Sequence, residues 1–210
     1  MISFSKGLYL STIAAGVAFA LPAGAPTTQN VCHPNFEFEG VRVANSATYW
    51  GASSYKANID LTGEGSFNNR LEIRFEQTGS AIPQYVAKSL NGTNLAVAVR
   101  DNGNLFFVDK LDTNNARHKF LIECKSFCKG AGQVHPGDLS ADGCTIKSAF
   151  DNKCVQLGKG PSAGTQGDHI FVNACDGTDS QRWNFVTSPF KKSGSGKREF
   201  ESRGIVGLKP

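Results

Sequence analysis

The 210-residue chain has no long hydrophobic run. A membrane-spanning helix needs about 20 consecutive apolar residues. The best candidate, Leu8 to Leu21, is interrupted by Ser11, Thr12 and Gly16, so no membrane insertion is expected. Long helical periodicity is also missing. Short apolar runs are punctuated by Gly, Asn, Asp and Thr, as in a chain of many short strands joined by turns. The cysteines include no Cys-x-x-Cys pair, and the four histidines no His-x-x-x-His, so the close ligand pairs of a zinc site are absent. Nor does the body carry a basic surplus. Of the net charge of +4, Lys6 contributes one, and the tail from Ser188 contributes four through six basic residues against two acidic ones, which leaves the body at −1. A nucleic-acid-binding domain would show a basic footprint on its folded part, so no nucleic-acid partner is expected. No acid, base and nucleophile set stands out either, and the chain reads as a non-enzyme without cofactor or metal.

What is present begins with an export signal. Lys6, the apolar stretch after it and the small residues Pro22-Ala23-Gly24-Ala25 form the three parts of a secretion signal. Residues 1–25 are therefore assigned to a cleaved signal and 26–187 to one domain. Residues 188–210 form a Gly/Ser-rich basic tail with little to bury, read as flexible. Its dibasic pairs, Lys191-Lys192 and Lys197-Arg198, are open to proteases. Six cysteines, at 32, 124, 128, 144, 154 and 175, follow the signal. In an oxidising compartment they pair, with 15 connectivities available.

The apolar runs repeat. Phe106 to Asp112 matches Ile170 to Asp176 at an offset of 64, and Lys88-Ser89 with Leu95-Ala96 match Lys147-Ser148 with Cys154-Val155 at an offset of 59. Each unit closes on an alternating apolar pair, Phe120-Leu121-Ile122 or Trp183-Asn184-Phe185. A fainter first copy places Trp50 45 residues before Leu95 and Phe75 45 before Phe120. Three four-strand units that each give one face to a shared interior can close into a barrel and remove exposed edges. Asn91-Gly92, Asp101-Asn102-Gly103 and Asp151-Asn152 supply hairpin turns.

Cys154-Val155-Gln156-Leu157, Ile170 to Cys175 and the closing Gln181-Arg182-Trp183 resemble the ricin B-type lectin repeat and, more narrowly, small secreted fungal lectin-like proteins. The resemblance is specific over 143–187, fair over 82–124 and weak over 31–80. It implies an all-β fold, the β-trefoil, with Trp183 in the core and a Cys154–Cys175 disulfide. Such a loop closure stabilises by about 3 kcal/mol in the chain-entropy model. The other four cysteines are expected to pair as Cys128–Cys144 and Cys32–Cys124. The family's sugar site uses an acid, an aromatic and an Asn-Gln pair; here Gln156, Asn173 and Ser180-Gln181 stand in those places, so only Gln181 matches. In the second repeat Val97 and Asp109 are aligned there, with no Gln before Phe120. A neutral amide accepts weaker bonds than a carboxylate, since charge-assisted bonds are roughly twice as strong.

By this reading the protein is secreted and binds carbohydrate, with glycans as partners and candidate residues Gln156, Asn173, Asp176, Asp179 and Gln181. Two alternatives stand beside it. One is a β-trefoil protease inhibitor presenting the Gly158–Gly167 loop or the Cys124–Cys144 segment to a protease. The other is a secreted scaffold whose sugar site is lost. Gly160-Pro161-Ser162-Ala163-Gly164 fits the hydrolase pattern Gly-x-Ser-x-Gly, but it lacks the strand-to-helix elbow that pattern requires. Asn91-Gly92-Thr93 is an N-glycosylation sequon on an expected hairpin tip. The histidines at 33, 118, 135 and 169 are isolated and read as surface residues.

Overall fold

The computed structural model describes residues 31–36, 40–65, 70–79, 83–91, 94–129, 133–159 and 168–188, and the backbone of 190–192 and 198–200. The proposed signal, the Gly-x-Ser-x-Gly segment and most of the tail lie outside the described residues. Among the described residues no helix is long and apolar enough to cross a membrane.

Twelve short strands fall into three groups of four. The first holds β1 (Val41–Asn45), β2 (Thr48–Gly51), β3 (Thr62–Glu64) and β4 (Ile73–Gln77). The second holds β5 (Gln84–Ser89), β6 (Ala96–Val99), β7 (Leu105–Val108) and β8 (Lys119–Cys128). The third holds β9 (Leu139–Ser148), β10 (Cys154–Gly158), β11 (His169–Asn173) and β12 (Trp183–Thr187). The outer strands of each group pair antiparallel around a closed circuit, β1–β12–β9–β8–β5–β4 and back to β1. The inner strands form three hairpins. Backbone bonds such as Leu61 N to Leu105 O (2.8 Å), Ile170 N to Leu61 O (3.1 Å) and Val172 N to Gly103 O (2.9 Å) join the hairpins into a cap. A barrel closed by three units and capped by their hairpins is the β-trefoil.

Two of the predicted turns fall where expected, and the Gly92 of the third lies outside the described residues. Gly103 has φ +89, a conformation that calls for glycine. Asn152 takes φ +57, a region Asn tolerates better than most residues.

The ladders correct the alignment of the copies. Ile73 lies opposite Ser89, and Phe120 lies opposite Ser148. Ile73, rather than Phe75, is therefore the partner of Phe120 and Trp183, and all three are fully buried. Likewise Tyr49, Ala96 and Cys154 face Ala44, Lys88 and Lys147, which matches Trp50 with Val97 and Val155. Unequal loops between the copies hid these shifts. An arm of residues 31–36 plugs the barrel floor. The Phe36 ring sits 4.8 Å from Phe185 and 5.5 Å from Phe75 between centroids, and the buried Tyr85 hydroxyl donates to the Pro34 carbonyl at 2.7 Å. Burial raises the Tyr85 pKa above its ordinary 10.0.

All six cysteines are bonded. Cys154 joins Cys175, but the other pairs are Cys124–Cys144 and Cys32–Cys128, not Cys32–Cys124 and Cys128–Cys144. The ladder gives the reason. Cys124 directly faces Cys144 across β8 and β9, whereas Cys128 faces Ala141. Three residues of strand separate Ala141 from Cys144, about 10 Å at 3.3 Å per residue, which is beyond the roughly 7 Å Cα limit for a disulfide. Cys32 does meet Cys124, but through backbone N–H···O bonds of 3.0 and 2.9 Å. We expect non-reducing peptide mapping of the purified protein to return Cys124 linked to Cys144 and Cys32 linked to Cys128. A peptide joining Cys128 to Cys144 would break the β8–β9 register.

Within the Cys124–Cys144 segment, residues 124–128 and 139–144 belong to the paired strands β8 and β9. In the tail, Phe190–Lys192 and Arg198–Phe200 (β13 and β14) form a separate two-stranded sheet. Asn91 is half-buried, its Oδ1 accepting from the Glu72 backbone N–H at 2.7 Å. Gly92 and Thr93 of its sequon lie outside the described residues.

Candidate functional site

Three of the predicted third-repeat residues come together. Gln156 on β10 accepts through Oε1 from Asn173 Nδ2 and from Gln181 Nε2, each at 3.2 Å. Gln181 is almost fully buried, and its amide is satisfied inside the fold. Nε2 also donates to the Ala174 carbonyl (2.7 Å), and Oε1 accepts from the backbone N–H groups of Asp176 (3.0 Å) and Gly177 (3.3 Å). It pins the loop between β11 and β12 and has no donor left for a ligand. Asp176 turns back on the same loop and accepts from Thr178 N and Oγ1 at 2.9 and 2.8 Å. Those bonds hold its carboxyl below the usual range. Asp179 is exposed, and its carbonyl takes a 2.6 Å bond from Asn45. Gln181 and Asp176 therefore pin this loop, with Asn173 and Asp179 exposed beside it.

In the second repeat the ladders place Ala98 opposite Phe106 and Ala96 opposite Val108. The corresponding pairs in the third repeat are Gln156–Phe171 and Cys154–Asn173. The positions equivalent to Gln156 and Asn173 are therefore Ala98 and Val108, one residue from the predicted Val97 and Asp109. A one-residue slip turns a strand side chain to the other face. Val97 accordingly points into the core, fully buried.

The place of Gln181 is taken by His118. It is 8% exposed, not a surface histidine, and its Nδ1 accepts from the Asp112 backbone N–H at 2.9 Å. Asp112 Oδ1 accepts from Asn114 N (2.9 Å), as Asp176 does from Thr178 N. Burial is the main cause lowering the His118 pKa from its ordinary 6.5, with Asp112 opposing. The signal was present in the sequence as Asp112 followed by His118-Lys119-Phe120, beside Asp176 followed by Gln181-Arg182-Trp183.

Beside His118 lies a cleft of about 530 Å³, lined also by Arg100, Asp101, Asn102, Phe106, Asn115 and Arg117. The β6–β7 turn supplies the first of these, and a 3-10 turn, Ala116–His118, capped by Asn115 Oδ1 on Arg117 N (3.0 Å), supplies the last. Arg117 bonds Asp101 Oδ1 at 2.7 Å and stacks over Phe150, with its guanidinium carbon 4.1 Å from the ring centroid. Arg100 lies 4.1 Å over the Phe106 ring. It is anchored by Asp60 Oδ1 (2.7 Å) and the Asn58 carbonyl (2.6 Å). The Asp101 side chain is 95% exposed and reaches into solvent at the cleft mouth. Sequence reading missed this cleft because Ala98 and His118, the lining residues at the places of Gln156 and Gln181, do not carry the family's side chains.

Barrel, cap and threefold ladder define the class, a β-trefoil. No protein-family model matches the chain, and no curated protein sequence matches it. Among solved structures it is similar to a designed 3-fold symmetric protein, ThreeFoil, at 11% identity and TM-score 0.50, over 70% of this chain and 97% of that one. It is also similar to the BEL beta-trefoil, at 10% identity and TM-score 0.49, over 74% and 97%. A third is the lysenin pore, at 14% identity and TM-score 0.47, where 73% of this chain spans 46% of that one.

Proposed function

We propose that this protein is a secreted, non-enzymatic carbohydrate-binding protein of the ricin B-like kind, holding a glycan in the second-repeat cleft. The observation that carries the reading is the convergence there of one exposed carboxylate, two guanidinium groups and two side-chain amides. A sugar presents neighbouring hydroxyls that both donate and accept. Asp101 takes the donated bonds and Arg117 supplies the reciprocal ones, and bonds to charged groups are the strong kind. The arginine-covered rings of Phe106 and Phe150 keep these charges in place. The third-repeat residues support the reading as fold markers, and Gln181 serves there as a loop pin.

The test is a glycan array on the mature protein, followed by titration of the glycans retained. Asp101→Ala should weaken them by about 10- to 100-fold, since a hydrogen bond to a charged group contributes about 1.5–3 kcal/mol. The melting temperature should hardly move, because an exposed ion pair is worth only about 0–1 kcal/mol. Binding lost in Gln156→Ala and kept in Asp101→Ala would relocate the site to the third repeat. An array with no binding by folded protein would end the reading.

A further inference from the structure

We infer that His118 is a positioning residue that closes the wall of the second-repeat cleft only while its ring is neutral, so that the cleft holds its glycan at neutral pH and releases it in acid. The binding half of this inference rests on the carbohydrate reading; the closing of the wall does not.

The argument starts from one acceptor atom. Nδ1 of His118 receives the Asp112 N–H at 2.9 Å, so the ring proton of the neutral form sits on Nε2. A second proton can only go onto Nδ1. It would set an N–H against the N–H of Asp112 and break the bond. The rest of the loop is tied to the same point. Asp112 O accepts from Asn115 N (3.2 Å), and Asn115 O accepts from His118 N (3.1 Å). Asn115 and Arg117, both cleft-lining, ride on this loop. Losing the ring bond therefore frees the residues that form one wall.

The third repeat supplies the comparison within the same molecule. Gln181 makes the same bond to Asp176 N–H at 3.0 Å, and its backbone N–H bonds the Thr178 carbonyl at 3.0 Å as His118 bonds Asn115. An amide does not titrate, so this pin has no response in the range where histidine titrates. The charged groups around His118 are Asp112 on its own loop, Arg117 and Lys119 beside it in the chain, and Arg100 and Asp101 across the cleft. Asp112 favours the charged ring, and burial disfavours it more strongly. Because the folded-state pKa is depressed, the bond is fully present above the histidine's ordinary range and is lost as pH falls through the folded value. Carboxylates ordinarily titrate near pH 4, well below about pH 5–7.5, the window histidine governs.

The experiment compares the full mature chain with His118→Gln, which copies the third repeat's pin. The first readout is hydrogen exchange of the Asp112 amide, corrected for intrinsic rate, between about pH 7.5 and about pH 5. In the wild type, protection should fall by up to about tenfold for each pH unit from the ring's ordinary 6.5 down to its folded value and level off below that; in His118→Gln it should stay flat. The second is a glycan array at both ends of the window. The wild type should lose its retained glycans in acid, as expected when the competent fraction shrinks, and His118→Gln should keep them. Flat Asp112 protection in the wild type overturns the inference without requiring any variant to fold. So does a His118→Gln profile that tracks the wild type. An acid-sensitive amide in a protein that binds no arrayed glycan leaves the clamp standing and removes the carbohydrate reading instead.

Discussion

Replacing Trp183 with alanine should lower the unfolding free energy by about 4 kcal/mol, since truncating a buried Phe or Trp costs about 3–5 kcal/mol. Trp183 is fully buried at the head of β12 and packs edge-on against Trp50 with centroids 5.6 Å apart. It stands where hairpin cap and barrel meet, so its loss opens a cavity that rigid ladders on both sides cannot collapse. Trp183→Phe should cost only about 1–2 kcal/mol, the scale of one buried hydrogen bond. The barrel already accepts that ring in the equivalent Phe120. What phenylalanine cannot replace is the bond from Nε1 to the Val155 carbonyl at 2.8 Å. The indole nitrogen of Trp50 is equally buried but has no acceptor among the described residues, so Trp50→Phe should be milder than Trp183→Phe. Urea unfolding of the three variants checks the order. Equal costs for the two phenylalanine substitutions would mean that the Trp183 bond contributes nothing.

The threefold design was legible because it is written in apolar spacing and in turn residues, both local properties. Phe120-Leu121-Ile122 and Trp183-Asn184-Phe185 became the inward-facing starts of β8 and β12, and Gly103 took the positive φ of its turn. The exact register was not legible. The copies differ in loop length, so matching Phe75 to Phe120 looks as good as matching Ile73, and only the ladder decides. The disulfides failed for a related reason. Cys124 and Cys128 lie on the same strand four residues apart, and which one meets Cys144 depends on a pairing that no spacing reveals. The second-repeat cleft was hidden for a different reason. A family template directs attention to Gln156, Asn173 and Gln181, whereas the cleft gathers Asp101 and Arg117. Those two are 16 residues apart in the chain and meet only because the β6–β7 turn lies beside the 3-10 turn before β8. His118 was overlooked because its role copies a glutamine's geometry without a glutamine's identity.

Removing Arg42 should destabilise the barrel by about 3–5 kcal/mol, because breaking one partner out of a buried ion pair leaves an uncompensated charge. Arg42 on β1 and Glu72, just before β4, are 6% and 3% exposed, and Arg42 Nη2 donates to Glu72 Oε1 at 2.9 Å. The pair lies at the seam where the circuit closes. There, among the described residues, β1 and β4 share a single ladder pairing, Val41 with Ile73, against four for β1 with β12. Glu72 cannot easily swing out after the loss of its partner, since its backbone N–H is held by Asn91 Oδ1. Arg42→Met should therefore leave the carboxylate buried and alone. Arg42→Met/Glu72→Leu should recover most of the loss, as buried pairs exchanged for well-packed apolar residues are often neutral or better. Urea unfolding of both single variants and the double variant completes the cycle. A double variant as weak as the two singles summed would show that the seam is held without help from this pair. Recovery would show that the two side chains are coupled and that each single change is costly because of the unpaired buried charge it leaves.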